Sequence, residues 1–408
     1  MAREMKDSGI EWIGDIPVSW AVLRGKNILT LLERPVLEAD GVITCFRDGM
    51  VTLRSNRRED GFTMSDKEIG YQGIDVGDLV VHGMDGFAGA IGISDSRGKA
   101  TPVLNVMDSS QNKRFLMYYL RSAAHCGLFL SLSTGIRVRS CDTNWNKIKN
   151  VLFALPTTFE QQRIVSFLDT ECARIDAVIE QTRASIEEYK KLKQAVITQA
   201  VTKGIRPNRP MKDSGIEWIG EIPFEWNTIS IGRLFSISAG GDAKPEFYSD
   251  VQDEEHPYPV YTNSMSKNQV YAYTSKPIFE KGTVTVTGRG AIGTAFYRET
   301  PYDAIIRLLS LRPKLDLDGR FYAYWISNVI HFFTDSAAVG QLSAIQMASY
   351  KTIYCQKEEQ SVIADYLDAE CSKIDILISK KGLLLSEIEL YKKSLIYEYV
   401  TGKKDVPA

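Results

Sequence analysis

Gly288-Arg-Gly-Ala-Ile-Gly293 has the glycine spacing of a dinucleotide-binding turn. That chemistry needs a strand before the glycines and a helix after them, so that helix N–H groups meet the pyrophosphate. Thr283-Val-Thr-Val286 supplies a strand, but Thr294-Ala-Phe-Tyr297 reads as another strand. A tight β-loop is therefore expected. Glu188-Tyr-Lys190 satisfies half of a nuclease motif, yet it lies among other charges in a long helical pattern, where a solvated face is expected. His82, His125, His256 and His331 are the only histidines, and none stands at metal-ligand spacing from another. No metal site and no catalytic residue are expected, and neither a GxxxxGK[ST] phosphate loop nor an Asn-Pro-Pro-Phe type methyltransferase motif occurs.

Binding chemistry fits the residues better than catalysis. Arginine, asparagine and glutamine on loops are the side chains that read guanine and adenine edges. Arg54, Asn56, Arg57, Arg58, Arg137 and Arg139 form such clusters in the first half of the chain. Asn263, Lys267, Arg289, Gln341 and Ser343 are their counterparts in the second. Residues 21–158 carry 17 Lys/Arg against 14 Asp/Glu, and residues 227–355 carry 12 of each. Phosphate neutralisation by this chain alone is modest. The net charge of −2 excludes a uniformly basic coat but leaves room for a local basic face.

The elements that must position these loops are written twice. Met5–Trp20 (MKDSGIEWIGDIPVSW) and Met211–Trp226 (MKDSGIEWIGEIPFEW) are identical at 13 of 16 positions. Glu160–Thr202 aligns without gaps on Glu359–Thr401. Between these echoes, 21–155 and 227–355 diverge, although Asp78-Leu-Val-Val81 and Thr283-Val-Thr-Val286 each precede a glycine-rich loop carrying Gly-Ala-Ile-Gly. A β-rich strand–loop–strand framework with variable loops is expected in both.

The downstream repeats read as long helices. Ile164, Leu168, Cys172, Ile175, Ile179 and Ile186 make an apolar seam, matched by Ile363, Leu367, Cys371, Ile374, Ile378 and Leu385. Lys193 and Lys392 interrupt it at equivalent places. Thr158 with Gln161 suggests a capping box at the first helix start. Two such helices pack most simply on each other, antiparallel. The expected fold class is α+β: two β-rich domains related by a pseudo-two-fold axis and joined by a two-helix coiled coil. The expected boundaries are 1–155 and 205–355 for the domains, with helical spacers at 156–204 and 356–408.

A chain of 408 residues, 44% hydrophobic and 25% charged, is globular and exceeds one domain. No apolar run reaches a membrane span, and Met1–Ile10 lacks the apolar stretch of a signal peptide. Six scattered cysteines without a CxxC pair suit reduced thiols, so a cytoplasmic location is expected.

The whole pattern resembles the specificity subunits of type I DNA restriction-modification systems. The resemblance rests on the paired GIEWIGDIP and GIEWIGEIP openings and the helices beginning Glu160-Gln161 and Glu359-Gln360. Phe-Leu-Asp (167–169), Tyr-Leu-Asp (366–368) and the Ile-Asp pairs at 175–176 and 374–375 add to it, as do Tyr258-Pro-Val-Tyr261 and Gly290-Ala-Ile-Gly293. Cys355 stands where Pro156 precedes the first helix, a departure at the second helix start. The resemblance implies a non-catalytic subunit whose two target-recognition domains each read half of a split, asymmetric DNA sequence. It also implies two methyltransferase subunits and two restriction-translocase subunits as partners, which would bring S-adenosylmethionine, ATP and Mg. A coiled-coil scaffold that binds proteins without DNA specificity is the alternative reading from the residues.

Overall fold

The computed structural model describes residues 3–57, 69–132, 143–332 and 340–407. The chain forms two compact units, 1–183 with 383–408 and 184–382. Each unit thus combines one β-rich segment with part of both long helices, Thr158–Lys203 and Lys357–Val400.

The first unit begins with a hairpin of Met5–Asp7 and Asp15–Pro17, and Ala21–Arg24 pairs antiparallel with Leu152–Leu155. Between these lies an antiparallel four-stranded sheet in the order Leu29–Leu31, Leu104–Ser109, Leu79–His82, Ile91–Ile93. Side chains alternate across a strand, so Leu79, Val81, Ile91 and Met107 join a core with the helix Lys113–His125. Val80, Leu104 and Val106 point the other way, into a second core with Ile43, Cys45, Val51 and Ile74. Both faces are covered, which explains the unbroken apolar run Leu79-Val-Val81.

The second unit repeats the plan. Met211–Asp213 pairs with Glu221–Pro223, and Asn227–Ser230 with Lys351–Tyr354. Its central sheet runs Phe235–Ala239, Leu309–Pro313, Thr283–Val286, Ala295–Arg298. A further mixed sheet of Tyr248–Ser249, Ala272–Thr274, Tyr258–Tyr261 and Asp303–Ala304 stands apart from it. The glycine motif at 288–293 joins two strands of the central sheet, as expected of a β-loop and not of a dinucleotide turn. The shared Gly-Ala-Ile-Gly letters do not share a place, however. Gly92 lies within the strand Ile91–Ile93, where a Cβ would collide with the Gly49 carbonyl, whereas Gly293 precedes its strand.

Why the helix starts repeat is plain from their contacts. Gln161 and Gln360 are fully buried. Gln161 Oε1 accepts from the Asn112 amide, and its Nε2 donates to the Pro156 carbonyl and Gln111. Gln360 Oε1 accepts from the Asp318 amide, and its Nε2 donates to the Cys355 carbonyl. Each glutamine ties the N-terminus of the helix after the sheet to the strand end before its own helix. One residue earlier, Glu160 accepts from Arg3 and Trp20, and Glu359 from Arg209 and Trp226. Arg114 and Tyr118 reach Asp169, and Arg320 and Tyr324 reach Asp368. The expected Thr158–Gln161 capping box is replaced. Thr157 caps the helix, its hydroxyl accepting from the Glu160 amide, because Gln161 is committed to the buried clamp.

Within each unit the helix segments run antiparallel. In the first, Phe167 packs on Tyr399, Asp176 pairs with Lys392 and Arg183 with Glu389. In the second, Tyr189 lies under Lys381 and Lys193 pairs with Asp375. The two lysines that interrupt the apolar seam thus make equivalent ion pairs to the opposite helix. Ile164, Leu168, Cys172 and Ile179 are buried, as are Ile363, Leu367, Cys371 and Ile374. Ile175, Ile186, Ile378 and Leu385 are half-buried. The buried seam residues near the helix starts also belong to the cores of their own units. Among the described residues, no helix is long and apolar enough to cross a membrane.

Candidate nucleic-acid interface

In the first unit a cleft of about 650 Å³ lies beside the hairpin Ile43–Cys45 and Val51–Leu53. Arg47, Arg54 and Arg57 line it, together with Asp48, His82 and Asp85. Each arginine is oriented by a neighbour. Arg54 Nε donates to Thr44 Oγ1 at 2.9 Å, Arg47 pairs with Asp85 at 2.8 Å, and Arg57 pairs with Asp48 at 2.7 Å while stacking on Phe46. His82 Nδ1 accepts from the amides of Met84 and Asp85, at 3.2 and 3.1 Å. Burial pulls its pKa below the usual histidine value, a shift that Arg47 reinforces and Asp85 opposes. Asn56 is turned to Thr52 Oγ1. Arg58, Arg137 and Arg139 lie outside the described residues.

In the second unit three of the five expected residues converge. Asn263 Oδ1 accepts from the amides of Gly288 and Arg289, at 2.8 and 3.2 Å, and its Nδ2 donates to the Ile306 carbonyl at 2.7 Å. Arg289 donates through Nε and Nη2 to Gln341 Oε1, at 3.3 and 2.9 Å. The Leu342 amide donates to the Gly288 carbonyl at 2.8 Å. Lys267 is turned to Glu299 at 3.6 Å. Ser343 has a structural role: its hydroxyl accepts from the Gln346 amide in a capping box that starts the helix Ala344–Ser349.

A buried arginine holds the segment that follows Tyr258–Tyr261. Arg298 is 5% exposed, and its hydrogen bonds go to neutral oxygens. It donates to Thr285 Oγ1 and to the Lys267 carbonyl, and its guanidinium lies 3.5 Å from the centroid of the Tyr261 ring. Burial lowers its pKa, with Tyr261 and Tyr302 opposing.

Several contributors carry no signal in the sequence. Arg47 lies in the turn of the hairpin just before Arg54, whereas His82 and Asp85 follow a strand that only the folded sheet brings to the Arg54–Arg57 segment. Ile306 and Arg307 have φ of 54° and 62°, and with no glycine there the sequence gives no sign of a left-handed backbone. Asn263 spends its side-chain amide on the backbone of two other loops.

Comparison with known proteins gives a consistent picture. The profile of the type I restriction modification DNA specificity domain matches residues 223–384. A putative type I specificity subunit of Mycoplasma pneumoniae is 30% identical over 167 residues, 41% of this chain and 49% of that protein. The C-terminal part of another from the same organism is 35% identical over 128 residues, 31% of this chain and 84% of that sequence. The chain spans about half the length of the first of these relatives. A chain from a structure describing complex assembly and conformational transition of the type I R-M system matches 95% of this chain and 99% of its own length. Its TM-score is 0.72 at 15% identity. The HsdS subunit from Thermoanaerobacter tengcongensis matches with a TM-score of 0.51 at 16% identity, over 95% of this chain and 98% of its own. These likenesses place the fold, and the sequence relatives place the lineage: the chain belongs to the type I restriction-modification specificity subunit family.

Proposed function

We propose that this chain is the DNA sequence-recognition subunit of a type I restriction-modification complex, with each unit reading one half of a bipartite, asymmetric target. The observation that carries the reading is the contrast inside each unit. The N-terminal halves of the long helices repeat many of the residues that clamp them to their units, including Glu160/Glu359, Gln161/Gln360 and Asp169/Asp368, while the loops and far faces of the sheets have diverged. A shared scaffold with different exposed loops is what two readers of different half-sites need. The reading makes the chain non-catalytic. Two methyltransferase subunits would bring S-adenosylmethionine, and two restriction-translocase subunits would use ATP and Mg, in the cytoplasm. The long helices, with their exposed faces, are the docking elements for these partners.

The test is to reconstitute the full chain with its methyltransferase partner and map methylated adenines on random DNA. One split, asymmetric motif is expected, with binding that weakens steeply as salt rises. A complex that assembles but marks or binds no defined sequence would favour the protein-scaffold reading instead.

A further inference from the structure

Four separate segments of the second unit meet at one exposed spot: the loop after Tyr258–Tyr261, the glycine loop 287–294, residues 305–308, and Gln341–Leu342. The meeting is tightly specified. A side chain at Gly288 would be crowded, because a Cβ would lie 3.0 Å from the carbonyls of both Arg307 and Leu342. Ile306 and Arg307 are both held in the left-handed region, which a β-branched residue such as isoleucine strongly avoids. Backbone held in so unfavourable a form by surrounding contacts is concentrated at functional sites. Here the restraints are the Asn263 amide on the Ile306 carbonyl and the Ile306 amide on the Gly241 carbonyl.

What this assembly presents outward is one aimed guanidinium. Arg289 is exposed, its backbone amide is held by Asn263, and one edge of its fork is fixed by Gln341 Oε1. Nε and one Nη2 hydrogen are thus engaged, which leaves the end-on pair of Nη1 and Nη2 as a preset two-donor fork. Two parallel donors match the O6 and N7 acceptors of guanine in the major groove, and no other base edge offers two acceptors there. A buttressed arginine also loses less side-chain freedom on binding than a free one.

Resting on the DNA-recognition reading above, we infer that Arg289 reads a guanine in the half-site of the second unit, and that Asn263 and Gln341 are positioning residues acting through it. Lys267, tied to Glu299, takes no part in this reading.

The experiment uses the full chain in complex with its methyltransferase partner on a randomised DNA library, with methylated sites sequenced. Exchanging 227–355 for the segment of a relative first identifies which half-site belongs to the second unit. If the unmodified complex marks no defined sequence, the recognition reading itself fails, an outcome distinct from failure of the Arg289 assignment. Arg289→Ala should relax one G·C position of that half-site, with roughly tenfold to hundredfold loss of discrimination, and leave the other half unchanged. Asn263→Ala and Gln341→Ala should relax the same position more weakly, and neither should add to Arg289→Ala in a double variant. A merely structural loss would lower methylation at all sites without changing base preference. Circular dichroism of each variant confirms that the fold is kept. Unchanged preference in Arg289→Ala, relaxation at an A·T pair, or uniform loss of methylation in a folded variant would overturn the assignment. Relaxation by Asn263→Ala or Gln341→Ala at a different position would overturn the positioning role.

Discussion

The central sheets of the two units share strand order and one face, yet differ on the other. Leu79, Val81, Ile91 and Met107 in the first unit correspond to Val284, Val286, Ala295 and Leu311 in the second, all packed toward the helices. On the far face the first unit has Val80, Leu104 and Val106 in an apolar core. The second has Thr283, Thr285, Ser310 and Arg298, all buried, with Tyr302 bonded to Thr283 and Ser310. One face answers to a repeated partner, the long helices. The other answers only to its own variable lobe, so hydrophobic packing and a satisfied polar network are equally usable there. The difference teaches where such a scaffold can diverge without losing its fold.

The contrast between the far faces breaks most forcefully at Arg298. Arg298→Ala removes two hydrogen bonds from a buried cation and its packing on Tyr261. It should destabilise the second unit by about 3 kcal/mol. Hydrogen-exchange mass spectrometry should show the loss in peptides of 258–310, with the first unit unaffected. Protection unchanged there would mean that the polar network is idle.

A reciprocal exchange sharpens the contrast. Val80 and Thr285 occupy matching places in the strand before the glycine loop, paired with Val106 and Ser310 on the central neighbour. Thr285→Val strips Arg298 of an acceptor and should cost about 1.5–3 kcal/mol. Val80→Thr buries a hydroxyl in an apolar core and should cost about 1–3 kcal/mol. Chemical unfolding of each variant measures both. Two neutral substitutions would show that the far faces are interchangeable after all.

How much of the molecule is legible in its sequence follows the same division. The long helices and their antiparallel pairing follow from repeated letters and an apolar seam, because repetition marks what a common partner constrains, whereas the hairpins at the repeated openings are seen only in the fold. Lys193 and Lys392 look like interruptions of the seam and prove to be its cross-helix ion pairs, since their partners Asp375 and Asp176 lie on the other helix. The helix cap at Ser343 is not legible, because serine suits both base edges and helix caps and composition does not separate the two uses. The left-handed Ile306 and Arg307 leave no trace, as their conformation is imposed by loops distant in sequence.

His82 offers a pH test confined to the first unit, since Thr287 occupies the matching place after the strand in the second. Its folded pKa lies below its unfolded value of 6.5, so the unfolded chain binds more protons as pH falls. The contribution is therefore present above about pH 6.5 and lost as pH drops toward the folded pKa. Protonation would also end the acceptance of two backbone amides by Nδ1. Melting temperature should fall between about pH 7.5 and 5.5, and less steeply in His82→Asn. Equal slopes would mean that the histidine does not titrate with folding.

The smallest effect belongs to the helix pair. The lysines are 30% and 26% exposed and their aspartates 56% and 55%, so each pair should contribute about 0.2–1 kcal/mol. Lys392→Asp should destabilise by that order, Asp176→Lys added to it should restore most of the loss, and the exchange at Lys193 and Asp375 should behave alike. Thermal melts in low salt would show whether the two ends are equivalent.

That each unit reads its own half of one target on a shared scaffold is tested most directly by replacing residues 21–155 with the matching segment of a relative of known target. Methylated adenines are then mapped for the full complex. One half-site should change to that of the relative while the other stays as it was. A change in both halves, or in neither while methylation persists, would contradict the two-reader scaffold.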